Sequence, residues 1–208
     1  MARYSRRRRF RRRRSRRRVR SRRYGRRYGR RRGGANNRVY TFTRRTQPVT
    51  FSSQISAETD IAYQFTLAGC VNYQEFVNLF DQYMIAGVKV LFLARQDVTQ
   101  VGSNSGNVYY TVDYDDVNPG LINDILQYQG HKIVRGDRSF SVFLKPHFAV
   151  GVYSGGSVFN AYGNRTGWID CNSPSTPHFG LKLAWSATSA VCTYDVTTMY
   201  YLRFKNVR

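Results

Sequence analysis

The side chains best placed to do chemistry are arginines, and they come first. Arg3, Arg6, Arg7, Arg8, Arg9, Arg11, Arg12, Arg13, Arg14, Arg16, Arg17, Arg18, Arg20, Arg22, Arg23, Arg26, Arg27, Arg30, Arg31 and Arg32 are 20 of the first 32 residues, with no lysine and no carboxylate among them. The first acidic residue is Glu58, and Arg38, Arg44 and Arg45 extend the run of uncompensated charge. The rest of the chain holds 11 basic and 12 acidic residues, so the net +22 of the 208-residue protein resides in one arm. A guanidinium is a planar fork that donates two parallel hydrogen bonds to a phosphate, and each one that displaces a condensed counterion adds sequence-independent, salt-dependent affinity. Tyr4, Phe10, Tyr24 and Tyr28, interleaved with the arginines, can stack on unpaired bases. No helical or zinc motif presents side chains to base edges, so the expected chemistry is neutralisation of a nucleic-acid backbone with little sequence readout.

Such a segment has almost no aliphatic surface to bury, and its charges repel one another, so it is expected to be disordered alone. The run Arg6, Arg7, Arg8, Arg9, Arg11, Arg12, Arg13, Arg14, Arg16, Arg17 and Arg18 also has the composition of a nuclear-import signal, read by the host import machinery. A solvated tail without a partner and a mitochondrial transit peptide are the competing readings. The second needs an amphipathic apolar face, which Phe10 and Val19 are too few to form. No apolar leader and no run of 18 apolar residues occurs, so neither a secretory signal nor a membrane span is expected.

The elements that must carry this arm begin after the hinge Gly33-Gly34-Ala35-Asn36-Asn37, which divides the chain into an arm, 1–37, and a domain, 38–208. Roughly 170 residues suffice for one domain with a sizeable core. Tyr, Phe, Val and Thr dominate it, the vocabulary of strands. Period-two alternation starts at Val39, is interrupted at Gln47-Pro48, and resumes from Val49 to Ile55. Further strands are expected at 61–67, 83–94, 108–113, 131–134, 139–145, 179–186 and 193–204. Short helices are expected at Tyr73–Phe80 and after Asn118-Pro119, where an asparagine cap precedes a first-turn proline and Gly130 ends the run. Eight principal strands without a strand–helix–strand rhythm point to an all-β, antiparallel jelly-roll sandwich, with a sandwich of another topology as the alternative.

The remaining candidate groups are sparse. Cys70, Cys171 and Cys192 show no metal-ligand spacing and read as buried free thiols, with a disulfide between two of them as the alternative. His131, His147 and His178 are isolated. Asp113, Asp115 and Asp116 form the one acidic cluster. Val117 stands where a calcium loop needs an oxygen ligand, so a cap or turn role is favoured over a cation site. No nucleophile elbow, phosphate loop or dinucleotide fingerprint occurs; no cofactor, metal or enzymatic activity is expected. Asn164-Arg165-Thr166 is a formal glycosylation sequon without a leader. The connection 146–177 is long for a compact domain and carries Tyr153, Phe159, Tyr162 and Trp168, aromatics expected to pack on a neighbouring subunit, with their own domain or a host ligand as the alternatives.

In that order, the arm, the run Phe80-Asp81-Gln82-Tyr83-Met84-Ile85-Ala86-Gly87-Val88-Lys89-Val90, the strand ending Val112-Asp113-Tyr114-Asp115-Asp116, Ser139 to Pro146, and Thr198-Met199-Tyr200 resemble circovirus-type capsid proteins. The arm departs from the family in lacking the prolines, lysines and tryptophans often mixed into it. The resemblance implies a virion component: a small icosahedral shell of identical subunits around a circular single-stranded DNA genome, assembled in the host nucleus, with a host-cell receptor as a further partner. If about 60 copies close the shell, their arms carry on the order of 1,400 positive charges, enough to offset a genome of about one to two thousand phosphates. In a jelly roll the first and last strands pair. Arg203 and Lys205, two apart on the last strand, are therefore expected to join Arg38, Arg44 and Arg45 in meeting the genome; ordinary salt bridges are the competing reading. A capsid of a small RNA virus or satellite, and a cellular nucleic-acid-binding protein with a basic tail, remain the alternative functions.

Overall fold

The computed structural model describes residues 38–95, 105–153 and 159–208, and between 152 and 163 the strand pairing alone. The first strand comes in two pieces, β1 (Tyr40–Arg45) and β2 (Val49–Ser52), both paired with the last strand, β12 (Thr193–Val207). Pro48 falls in the gap between them, where a residue without an N–H costs no ladder bond. Thus Arg45 lies opposite Met199 and Val49 opposite Val196, one strand interrupted and resumed, as the alternation predicts.

On its other side β12 pairs with β4 (Phe80–Arg95), and β4 with β7 (Phe140–Leu144) and the two-residue β10 (Ile169–Asp170). The second sheet runs β3 (Thr59–Phe65), β11 (His178–Trp185), β5 (Asn107–Thr111), β6 (Lys132–Arg135). Its β11 also meets β8 (His147–Tyr153), which forms a hairpin with β9 (Phe159–Arg165). Every pairing between these strands is antiparallel. Counting β1 and β2 as one strand, the principal strands alternate between two four-stranded sheets in the jelly-roll order. The connection 146–177 is therefore not the structureless loop its glycines and asparagines suggest, since alternation across residues 147–153 builds β8 against β11 and β9.

The core between the sheets is aromatic. Phe204 is fully buried and stacks on Phe76 (centroids 4.6 Å apart) and Phe80 (5.1 Å), while Phe92 stacks on Phe140 at 4.6 Å and Phe51 meets Trp185 at 4.4 Å. Burying each such side chain contributes about 1.5–3 kcal/mol. Phe76 comes from α1 (Tyr73–Leu79), which ends one residue early because Phe80 already begins β4. The second helix, α2 (Ile122–Gln127), does not start at Asn118-Pro119. There Asp116 Oδ1 accepts the Asn118 amide, making a turn, and Asp124 Oδ2 caps the helix by accepting the Leu121 amide at 3.1 Å. α2 and its approach lie against β11 and bury its second face, Lys182 included.

Candidate nucleic-acid interface

The arginines from Arg3 to Arg32 lie outside the described residues. The domain residues proposed beside them fall into distinct settings. Along β1 the side chains alternate, with Tyr40 and Phe42 packed on the core and Thr41, Thr43 and Arg45 turned to solvent. Arg44 shares the inward phase, so its guanidinium rests 4.9 Å from the centre of the Phe76 ring, at the core's rim. Arg38 lies over the Tyr40 ring at 5.3 Å. A cation over an aromatic face is worth about 0.5–1 kcal/mol at such exposed sites, so both arginines also hold the start of β1 in place.

On β12, Arg203 and Lys205 flank the buried Phe204 and share the outer face, as their spacing predicts. Arg203 is exposed and lies opposite Thr41. Lys205 is half-buried, with its ammonium 4.5 Å from the centre of the Trp168 ring. One aromatic expected at a subunit contact and one expected genome ligand are thus in contact with each other within the domain. Tyr153 lies opposite Phe159, and Tyr162 opposite Gly151, in the β8–β9 hairpin.

The register adds a cation that the sequence reading missed. Lys89 on β4 pairs with Met199, which pairs with Arg45, so the two cations lie two strands apart, about 10 Å, on the outer face. Its signal was there, because Val88 and Val90 are core residues and the residue between them must point the other way. Arg45, Lys89, Leu91, Thr197 and Met199 line a shallow cavity of about 50 Å³. Among the described residues no ion pair takes Arg45, Lys89, Arg203 or Lys205. The only carboxylate on this face of β12, Asp195, is paired with Arg95 at 2.7 Å.

The acidic cluster is a structural lock. Lys182 Nζ lies 2.7 Å from Asp113 Oδ2 and 2.6 Å from Asp116 Oδ1, and the Tyr128 hydroxyl donates to Asp113 Oδ2 at 2.6 Å. Burial pushes Asp113 up, but hydrogen bonds from Lys182, Tyr128 and the Asp115 amide outweigh it and hold the carboxyl below its ordinary value. The hydrogen bond from Lys182 does the same for Asp116. The cation held by these aspartates is the chain's own ammonium. Asp115 accepts from Asn164, whose side-chain oxygen meets His147 Nδ1 at 3.1 Å.

The three thiols are free; burial pushes Cys70 up to about 12 and Cys171 to about 11, too high for a nucleophile. Among the described residues no group of histidines, cysteines and carboxylates could hold a metal ion, and no helix is long and apolar enough to cross a membrane.

A family model described as circovirus capsid protein matches residues 2–208. No curated protein sequence matches the chain. A crystal structure of the 60-mer BFDV capsid protein superposes with a TM-score of 0.67 at 18% identity, covering 82% of this chain and 95% of that one. A decameric form of the BFDV capsid protein gives 0.57 at 18% identity, covering 81% and 100%. A chain of the three-dimensional structure of maize chlorotic mottle virus gives 0.52 at 8% identity, covering 81% and 95%.

Proposed function

The chain belongs to the circovirus capsid protein family, a structural rather than enzymatic role, and from that premise we propose that its copies close into a small icosahedral shell that packages a circular single-stranded DNA genome through the arginine arm. The observation that carries this reading is the partition of charge: 20 arginines and no carboxylate in the first 32 residues, ahead of a domain that is nearly neutral. Near-neutral domains can approach one another without strong repulsion, while the arms attract one another only through a polyanion between them. Arg38, Arg44, Arg45, Arg203 and Lys205 extend the basic surface onto β1 and β12. The run from Arg6 to Arg18 serves nuclear import before assembly. Tyr153, Phe159, Tyr162 and Trp168 belong to contacts between subunits. That the BFDV capsid protein forms a 60-mer and a decamer supports closed assembly of this fold.

The test is electron microscopy of the purified full chain, with nuclease-protected nucleic acid extracted and typed. Uniform shells holding protected single-stranded DNA are the expected result from native particles. Protected RNA would transfer the reading to an RNA virus. Monomers or irregular aggregates at every salt concentration, with nucleic acid supplied, would leave a basic-tailed binding protein.

A further inference from the structure

The outer face of the first sheet carries rings as well as cations. Phe143 on β7, a strand that among the described residues pairs with β4 alone, lies opposite Lys89 and is 57% exposed. Its place is made by Gly87, where a Cβ would come 2.8 Å from Phe143 Cζ and 3.0 Å from Cε2. Tyr201, the cross-strand partner of Gly87, meets the same ring edge-on, with centroids 5.8 Å apart and planes at 71°. Arg45, Met199, Lys89 and Phe143 therefore form one lateral row across four strands, with Tyr201 and Gly87 in the next row.

We propose that this face is a binding site for single-stranded nucleic acid, in which a base stacks on the Phe143–Tyr201 pair and its phosphates lie against Lys89 and Arg45. The site rests on the reading of the chain as a genome-packaging protein and adds to it a discrimination the arm cannot make. Arginines in a charged run neutralise single and double strands alike, whereas a ring platform needs a base free of its own stack. Three features identify the occupant. Among the described residues the cations carry no carboxylate partner, the exposed Phe143 and half-buried Tyr201 lie beside them, and the cavity between Arg45 and Lys89 has room for one or two waters that phosphate oxygens can replace. Packing of Phe143 over Gly87 alone would account for the glycine, but not for the row of unpaired cations that continues from it.

The full chain is mixed with a 20-nucleotide single strand carrying 4-thiothymidine, irradiated, digested and mapped by mass spectrometry, beside a duplex of the same sequence. The expected result is cross-linked peptides spanning Phe143 and Tyr201 with the single strand and cross-links confined to the arm with the duplex. Phe143→Ser and, separately, Lys89→Ser should lower the yield at Tyr201 by about ten-fold, as lost stacking and a lost phosphate contact predict, with total binding through the arm unchanged. Both positions are solvent-facing, and unchanged circular dichroism certifies the fold of each variant. Cross-links confined to the arm with both probes would overturn the site and leave the packaging function standing. Equal cross-linking at Tyr201 by single strand and duplex would overturn the discrimination. Protection of Phe143 in shells assembled without nucleic acid would assign the face to subunit contact instead. Absence of binding by any part of the chain would remove the packaging reading along with the site.

Discussion

Replacing Lys182 by methionine keeps the length of the side chain and removes the ammonium that two aspartates share. Lys182 and Asp113 are only 7% and 6% exposed, so the lost charge cannot be made good by water at either one. Removing one partner of a buried pair costs about 3–5 kcal/mol. Here the cost falls at the lower end. The Asp116 side chain is 45% exposed and can turn to solvent, and Asp113 keeps the Tyr128 hydroxyl and the Asp115 amide. A loss of about 3 kcal/mol is expected, equivalent to a fall in melting temperature of about 6–12 °C for a domain of this size. The pH dependence follows from the two directions of shift. Asp113 and Asp116 are held below their ordinary values, so their contribution is present above about 3.9 and is lost as pH falls through the folded values. Burial lowers Lys182, but its bonds to Asp113 and Asp116 raise it more, so its contribution is present below about 10.4 and is lost as pH rises further. The gap between Lys182→Met and the parent should be widest between these limits. Urea titrations of the unassembled subunit, followed by circular dichroism at several pH values, measure it. Adding Asp113→Asn to Lys182→Met should recover part of the loss. A single variant within about 0.5 kcal/mol of the parent at pH 7, well inside the range of ordinary surface changes, or a double variant no more stable than the single, refutes this account.

Substituting Arg6, Arg7, Arg8 and Arg9 by serine should reduce the slope of log affinity against log salt for single strands by about 3, at about 0.7 per phosphate contact, in fluorescence titrations. A slope unchanged within error would remove these four from the interface. His178 is buried, with its ring against Phe148 and Nδ1 3.0 Å from the Thr176 carbonyl, and burial holds its pKa below the ordinary value. The unfolded chain therefore takes up a proton first, and stability should fall by up to about 1.4 kcal/mol per unit as pH drops below about 6.5. His178→Gln should flatten that part of the stability–pH curve; a slope identical to the parent's would assign it to other groups. Phe204→Ala, which opens the stack with Phe76 and Phe80, should cost about 3–5 kcal/mol and abolish shells in electron micrographs. Intact shells at parental yield would show that the stack is dispensable.

The eight principal strands were legible because burial in a sandwich imposes period two, which β1 shows over its length and β4 and β12 over much of theirs, while β11 reads as a short apolar run buried on both faces. Pro48 was legible too, since a missing N–H has a local meaning. The start of α2 was not. Asn118 and Pro119 have the residue types of a helix entrance, but Asp116 takes the asparagine into a turn and Asp124 caps the helix at Leu121, three residues later. The hairpin of β8 and β9 was hidden by turn-forming residues in segments that pair because β11 offers an edge. The lock at Lys182 joins residues 66 and 69 positions apart, and no local pattern announces such a partner. The basic, aromatic face was half visible. Arg203 and Lys205 follow from spacing on one strand, whereas Lys89, Phe143 and Tyr201 come together only through the register of three.

Gly87 and Phe143 are one hereditary unit rather than two. A Cβ at position 87 would come 2.8 Å from the far end of the Phe143 ring, so a change there is accepted only if the ring swings aside or position 143 becomes small. A change at position 143 that removes the ring in turn leaves a bare glycine in the middle of β4, where backbone entropy and lost packing disfavour it by about 0.5–1 kcal/mol relative to alanine. Both single-step routes between the paired states carry a cost, a displaced ring on one and a bare glycine on the other. Lineages descending from this sequence should therefore keep the pair or replace both residues, and a library randomised at the two positions should return that correlation among its assembled members.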